Sequence, residues 1–464
     1  MNQEQKFLAI IICLLLSVTN IAPVIHRFLS IFIKRLLKKI LSFHLFRKKD
    51  EIILGPIRIS DRDRIRHTHI VGATGSGKTL LMESLIYEDL KNGRGALIID
   101  PKGDRELYER IKEFCEKIGR ISDLHLVSAQ YKEESVRWNP CRLGSASEIQ
   151  SKFLNAWVFS ESFYEKACES ALLEAINNVL KEKEYFHLPD LVSYIKKNTT
   201  KSKNIEALFL DFNNLIESEW KEILCASPPK LTKKEINFLD ITRKNEIIFL
   251  DLPTEGKSVQ SSKIGRLFLQ EIILISGLRK IFPSLRSQTP FPIYIDEFDA
   301  FVTESFSSFQ NKARSSNFMI HLAHQTLSDL KVISDSFMGK IMGNTNVRFV
   351  FRQDDPDDAE KWANFFGTKD TLKTTFRTKE GDSTGEASNR ISKEFRIHPD
   401  TIKELAIGEC IFSVKSSETL SQIRVPLPKP KRYFKNLPIA RKESNYTPPP
   451  QEKIDPNMLK KECS

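Results

Sequence analysis

Gly72, Ala73, Thr74, Gly75, Ser76, Gly77, Lys78 and Thr79 run in the order G-x-x-x-x-G-K-T. Glycines at these positions let the backbone turn tightly, so that successive amide N–H groups face a chain of phosphates. Lys78 is expected to reach the β- and γ-phosphates, and the Thr79 hydroxyl to ligate Mg²⁺. About 220 residues downstream, the apolar run Phe291 to Ile295 leads into Asp296 and Glu297. An acid at a strand end suits the magnesium shell, and a second acid one residue on can polarise the attacking water. A static nucleotide switch needs no such second acid, so the pair points to hydrolysis of ATP. Another apolar run, Phe318 to Ala323, ends at His324-Gln325, where Gln325 could sense a γ-phosphate or orient water. Arg314, before that run, is a candidate for insertion into a neighbouring subunit's site. There such a residue can add about 10³ to 10⁵ in rate.

These groups can meet only if parallel strands bring their carboxyl ends to one edge. His69 to Val71 is a short strand before the glycine-rich loop, and LLMESLIYEDL after it is a helix. Gly95 to Asp100 reads as a buried strand leading into Pro101-Lys102-Gly103-Asp104, followed by a helix (Glu106 to Ile118) and a strand (Leu124 to Ser128). This alternation predicts an α/β fold with a doubly wound, parallel-rich sheet. Helical periodicity takes over from residue 145 to 237, with no convincing strand, predicting an inserted all-α domain between the two halves of the site. Sheet patterning resumes at Glu246 to Leu252, and a helix spans Ser261 to Arg279. Further strands are expected at Asn344 to Phe351 and Gly408 to Val414, with Gln422 to Val425 pairing nearby. Asp354 to Phe366 is a helix, and the polar, glycine-bearing stretch Thr371 to Asn389 reads as a mobile loop. His321 and His324 lack a nearby third ligand and are expected to pack rather than hold a metal.

Phe7 to Ile25 carries no charge over 19 positions. At 1.5 Å per residue a helix there is about 28 Å long, close to the roughly 30 Å of a bilayer core. A cleaved leader is the alternative, but no small-x-small site follows the run. From His26 to Lys49 there are eight basic residues and no acid, which places the downstream side in the cytoplasm. His26 to Phe46 reads as a basic amphipathic helix at the headgroups; as a second span it would carry four charges mid-segment. The expected organisation is residues 1–49 as anchor, 50–144 with 238–425 as the nucleotide-binding domain, 145–237 as the helical insertion, and 426–464 as a disordered tail rich in Pro, Lys and Arg. The net charge of +11 is concentrated at the ends: subtracting +8 for residues 26–49 and +6 for residues 424–464 leaves −3 for residues 50–423. Any nucleic acid must therefore be met by local loops or a pore lining, not by a cationic face. Seven dispersed cysteines offer neither a disulfide framework nor a zinc knuckle and suit a reducing compartment.

HTHIVGATGSGKT, IIDPKGD, VRWNP (Val136 to Pro140), IYIDEF, the AHQTLSDL run from Ala323 and the late HPDTIKELAIGEC occur in one order over residues 54 to 425. That order resembles the coupling-protein family of bacterial type IV secretion (the TraG and TraD group), the DNA pumps of conjugation. The resemblance implies a RecA-like P-loop ATPase with bound ATP and Mg²⁺, held in the bacterial inner membrane. It implies a hexameric ring around a channel for single-stranded DNA bound to its relaxase, docked on secretion-channel components. By the same resemblance Lys78 and Thr79 match the phosphate-loop pair, Asp296 and Glu297 the hydrolytic pair, and Gln325 the glutamine after the next strand. Arg314 falls where these motors place a trans-acting arginine, and Arg66 is a second candidate. Many members carry two membrane spans, whereas one is convincing here, and the short tail lacks the long extension some members use to capture cargo. A chromosome-partitioning or repair translocase, and a receptor docking protein effectors for export, stand as alternative readings.

Overall fold

The computed structural model describes residues 50–157, 162–184, 186–198, 203–225, 234–253, 258–379 and 382–426. The expected span, the basic helix and all but the first residue of the tail lie outside these. Among the described residues, no helix is long and apolar enough to cross a membrane. Residues 50–62 belong to a small unit of their own, an antiparallel hairpin of β1 (Glu51–Leu54) and β2 (Ile57–Ser60).

The main body, from Asp63 onward, carries β3 (Thr68–Val71), β4 (Ala96–Asp100), β5 (Leu124–Ser128), β6 (Arg137–Trp138), β7 (Glu235–Ile236), β8 (Ile247–Asp251), β9 (Phe291–Ile295), β10 (Phe318–His324), β11 (Val347–Val350), β12 (Thr368–Lys379), β13 (Asp382–Phe395), β14 (Glu409–Val414) and β15 (Thr419–Arg424). Nine of them form one sheet, in the order β15-β14-β11-β3-β10-β9-β4-β8-β5. The pairings from β11 to β5 are parallel, and β14 and β15 add an antiparallel edge. β3, β4, β8, β9, β10 and β11 are buried along their whole length, as continuous apolar runs covered on both faces require. The fold is RecA-like α/β with a large mixed sheet.

Between β6 and β7 the described elements are helices: Ala146–Ala156, Ser162–Glu182, Leu188–Asn198, Lys203–Ile216 and Lys221–Leu224. The excursion is clasped at its base, where Arg137 pairs with Glu235 and Trp138 with Ile236 in a short parallel bridge. Buried Trp138 stacks there on Phe238, with ring centroids 5.5 Å apart, and packs on Phe268 at 4.1 Å. These helices share one compact body and one apolar core with the sheet. Buried Lys152 pairs with Glu271 on the long helix Ser258–Ile281, tying the two together.

The stretch Thr371 to Asn389 is not a loop. β12 and β13 pair antiparallel from Thr368↔Phe395 outward, with a register irregularity between Phe376 and Thr378. Thr371, Thr374, Thr375 and Phe376 are β-branched or aromatic, residue types that suit a pleated strand even where polarity suggests a loop. β15 likewise begins three residues before the expected Gln422 and pairs with β14 along its length.

The helix that follows the glycine-rich loop, Lys78–Lys91, is tied to the sheet by a buried charge cluster. Asp89, fully buried, accepts from Arg64 at 2.7 and 2.5 Å, from Arg94 at 3.0 Å and from the Tyr294 hydroxyl at 2.5 Å. Burial alone would raise the Asp89 carboxyl, but Arg64 and Arg94 outweigh it and hold the group down at about 2. Arg64 also reaches Tyr294 of β9 at 3.2 Å and His321 of β10 at 3.1 Å. Asp89→Ala would strand two buried guanidinium groups and is expected to cost about 3–5 kcal/mol, read by urea unfolding of the full-length chain. A loss under about 1 kcal/mol would contradict the cluster's role. Because the folded carboxyl is depressed, its contribution is complete above the ordinary 3.8 and disappears as pH falls through about 2.

Candidate functional site

In the order β3-β10-β9-β4, four parallel strands deliver their carboxyl ends to one edge of the sheet. β3 ends in the glycine-rich loop, β10 in Gln325, β9 in Asp296 and Glu297, and β4 in the turn bearing Lys102. Gly75 and Gly77 adopt φ of 74° and 116°, the left-handed region that a Cβ opposes. A Cβ on Gly72 would lie 2.5 Å from that of Phe351. The loop is braced by its neighbours: Ala73 N–H donates to the Arg352 carbonyl at 2.9 Å, and the Ser76 carbonyl accepts from Gly408 N–H at 2.9 Å. Gly408 in turn accepts from Val425 N–H at 2.8 Å, so the last two sheet strands buttress the loop.

Lys78 Nζ donates to the carbonyls of Gly72 at 2.5 Å and Ala73 at 3.1 Å, and burial lowers its ammonium below the ordinary lysine value. Thr79 Oγ1 lies 3.3 Å from Asp296 Oδ2. Adjacent oxygen ligands of an octahedral Mg²⁺, each at about 2.1 Å, are roughly 3 Å apart, so this pair fits one edge of such a shell. Ser76 Oγ is buried without a hydrogen-bond partner among the described residues, inside the loop where phosphate oxygens would be received. Glu297 is held at φ 39°, a strained conformation for a residue with a Cβ, and its carboxylate takes Gln325 Nε2 at 3.4 Å. Gln325 Oε1 accepts from Thr74 Oγ1 at 2.8 Å. Thr74, Thr79, Asp296, Glu297 and Gln325 thus form one linked set, with Lys78 bonded to carbonyls of the same loop.

Arg314 stands elsewhere. It is exposed and precedes β10, whereas Gln325 follows it. The six intervening steps of an extended strand span about 20 Å. Arg66 precedes β3 and so lies at the same amino end of the sheet. Between them His67 is lowered to about 4, first by burial and, more weakly, by the nearby charge of Arg314. His321 and His324 are fully buried. His321 stacks on Tyr294 at 4.4 Å, and His324 bonds to His69 at 2.6 Å and to the Thr326 carbonyl at 2.7 Å.

One residue at the site has no role in the expectations from sequence. Lys102 Nζ lies 2.8 Å from Asp296 Oδ2 and 3.3 Å from Glu297 Oε1. Partial burial opposes its charge, but Asp296 and then Glu297 raise it above the ordinary lysine value. The signal was present in Asp100-Pro101-Lys102-Gly103-Asp104, a lysine-bearing turn at the carboxyl end of a strand. What sequence could not supply is that β4 lies beside β9. Burial and the approach of Asp296 also push Asp100 up to about 6, against the opposing pull of amide hydrogen bonds from Asp104 and Lys102.

A profile of the AAA-like domain family matches residues 60–421. The chain belongs to that family. With its loop, strand-end acids and RecA-like sheet, it is a P-loop NTPase. Among curated relatives it is similar to the type 4 coupling protein DotL of Legionella pneumophila, 24% identical over 482 aligned positions. That match takes in 84% of this chain and 60% of DotL, so the chain spans about three fifths of the relative's length. Among solved structures it is similar to the bacterial conjugative coupling protein TrwB without its first 70 residues, unbound form, with TM-score 0.63, 13% identity, and 83% of this chain and 90% of that one covered. TrwB in complex with ADP and Mg²⁺ gives TM-score 0.60 at 13% identity, with 84% and 92% covered. VirB4 of Thermoanaerobacter pseudethanolicus gives 0.53 at 13% identity, with 79% and 91% covered. At these identities the likeness is one of fold.

Gly72→Ala is expected to force the loop away from Phe351, at a strain of about 1–3 kcal/mol, and to weaken nucleotide binding by about fivefold or more. Fluorescence titration with an ATP analogue measures this, and unchanged affinity would show that the close approach is dispensable.

Proposed function

We propose that this chain is a membrane-anchored ATPase of the type IV secretion coupling class, delivering single-stranded DNA with its bound relaxase to a secretion channel. The observation that carries the reading is the meeting of Lys78 and Thr79 with Asp296, Glu297 and Gln325 across some 220 residues of sequence. The order of motifs over residues 54 to 425 and the likeness to DotL and TrwB supply the biological setting.

In this reading, the loop amides and Lys78 bind the β- and γ-phosphates of ATP, while Thr79 and Asp296 hold Mg²⁺. Bound there, Mg²⁺ neutralises charge developing on the phosphates. Glu297 accepts the proton of the attacking water, and Gln325, bonded to both Glu297 and Thr74, orients that water and registers the γ-phosphate. Arg314, at the far end of the sheet from its own loop, serves an adjacent subunit's nucleotide in a ring. Residues 7–25 anchor the chain in the inner membrane with the body cytoplasmic, and residues 145–237 act as the all-α domain of the family. The charge of −3 over residues 50–423 favours one second reading, a receptor for protein effectors in which nucleotide sets affinity.

The purified full-length chain is expected to hydrolyse ATP slowly alone and several-fold faster with single-stranded DNA. Salt should erode the stimulation as phosphate contacts are screened. Stimulation by a candidate effector protein and indifference to DNA would favour the receptor. Lys78→Ala and Glu297→Gln should each lower turnover by about 10² or more. Mixing Arg314→Ala with Lys78→Ala subunits should restore part of the activity, because a mixed ring contains intact composite sites; no recovery would remove Arg314 from the mechanism.

A further inference from the structure

The ammonium of Lys102 rests on oxygen atoms from two elements that the nucleotide site also needs. Its Nζ lies 2.8 Å from Asp296 Oδ2, 3.3 Å from Glu297 Oε1 and 3.5 Å from Thr79 Oγ1. Asp296 Oδ2 is the same atom that faces Thr79 Oγ1 at 3.3 Å, so one carboxylate oxygen is shared between a lysine and the edge a divalent ion would take.

The backbone under Lys102 is held in place, while its side chain is partly exposed. Asp100 accepts the N–H of Lys102 at 3.2 Å and that of Asp104 at 2.7 Å, closing the turn around its carboxylate. Gly103 sits at φ 70°, where a Cβ would come within 3.2 Å of Pro253 and 3.3 Å of Asp251. The turn therefore cannot drift. The Lys102 side chain, 37% exposed, has four methylenes with which to swing between Asp296 and solvent.

We infer that Lys102 is a positioning residue that acts as a built-in counter-ion of the metal site. Its ammonium holds Asp296 and Glu297 in place before nucleotide arrives and competes with Mg²⁺ for Asp296 Oδ2. A divalent ion and an ammonium cannot share that oxygen without strong repulsion, so loading of Mg²⁺ with nucleotide expels Lys102 from Asp296. Glu297 remains within its reach, and the contact there keeps that carboxylate in place beside the phosphate loop. Entry of the metal is thereby coupled to a movement of the turn's side chain beside the general base. This inference rests on the P-loop reading given above.

The test is Mg²⁺ titration of fluorescent ATP-analogue binding to the full-length protein, starting from EDTA, with no turnover needed. Lys102→Met removes the competitor and should lower the half-saturating Mg²⁺ concentration fivefold or more, the lower range of coupling between two ligands of one site. Lys102→Arg keeps a cation on the same turn and should stay near wild type. In steady state, Lys102→Met should lower kcat without raising KM for ATP, because Glu297 loses its cationic partner, keeping only Gln325, while the phosphates lose none. An unchanged Mg²⁺ requirement in Lys102→Met would reduce the contact to a surface ion pair, and a higher requirement would mean that Lys102 assists the metal; either overturns the inference while leaving the P-loop intact. A wild-type chain that binds no analogue at saturating Mg²⁺ would instead overturn the P-loop reading, and this inference with it.

Discussion

The site depends on one electrostatic constraint, the pairing of Asp89 with Arg64 and Arg94 in the interior. Three charges out of water are costly unless each is met with good geometry, and here the two-pronged Arg64 contact and the Tyr294 hydroxyl meet it. Asp89 belongs to the helix that begins at Lys78, Tyr294 to the strand that ends at Asp296, and His321, bonded to Arg64, to the strand before Gln325. Apolar packing could hold these three elements together but would tolerate a slide between them. Directional bonds to a charged hub do not, and sub-ångström registry is what a site for phosphate chemistry needs. The neutral state of His321 follows from the same hub, since burial and Arg64 both lower it well below its ordinary value.

Much of the sheet could be read from sequence because its strands are buried on both faces. A strand such as Phe291–Ile295 shows no alternation, and its apolar run ending in acid is conspicuous. β5 matches the expected Leu124 to Ser128 at both ends. The hairpin of β12 and β13 escaped the same reading because its residues are mostly polar and form no continuous apolar run. Its exposed cross-strand pair Leu372 and Ile391 is too sparse to announce a strand. Local pattern reports burial better than it reports backbone pairing.

The chemistry shows a parallel division. Lys78, Thr79, Asp296 and Glu297 were legible because each occupies a spacing with a direct chemical reason. Lys102 was not, since its importance comes from the crossover that sets β4 beside β9, a fact of strand order rather than of spacing. The link from Thr74 to Gln325 likewise follows from β10 lying next to β3. Arg314 precedes β10, and the end of the sheet near which it lies became visible only with the direction of that strand.

The Ser76 carbonyl is held by Gly408, and Gly408 by Val425, more than 300 residues after the loop they brace. A chain growing from a ribosome presents the phosphate-binding loop early, but its supporting strands emerge last. Until they are laid against it, the loop lacks its outer wall, so nascent and prematurely terminated chains carry an unfinished nucleotide pocket. The order of synthesis itself thus delays the engine until the segments bearing Gly408 and Val425 have been made.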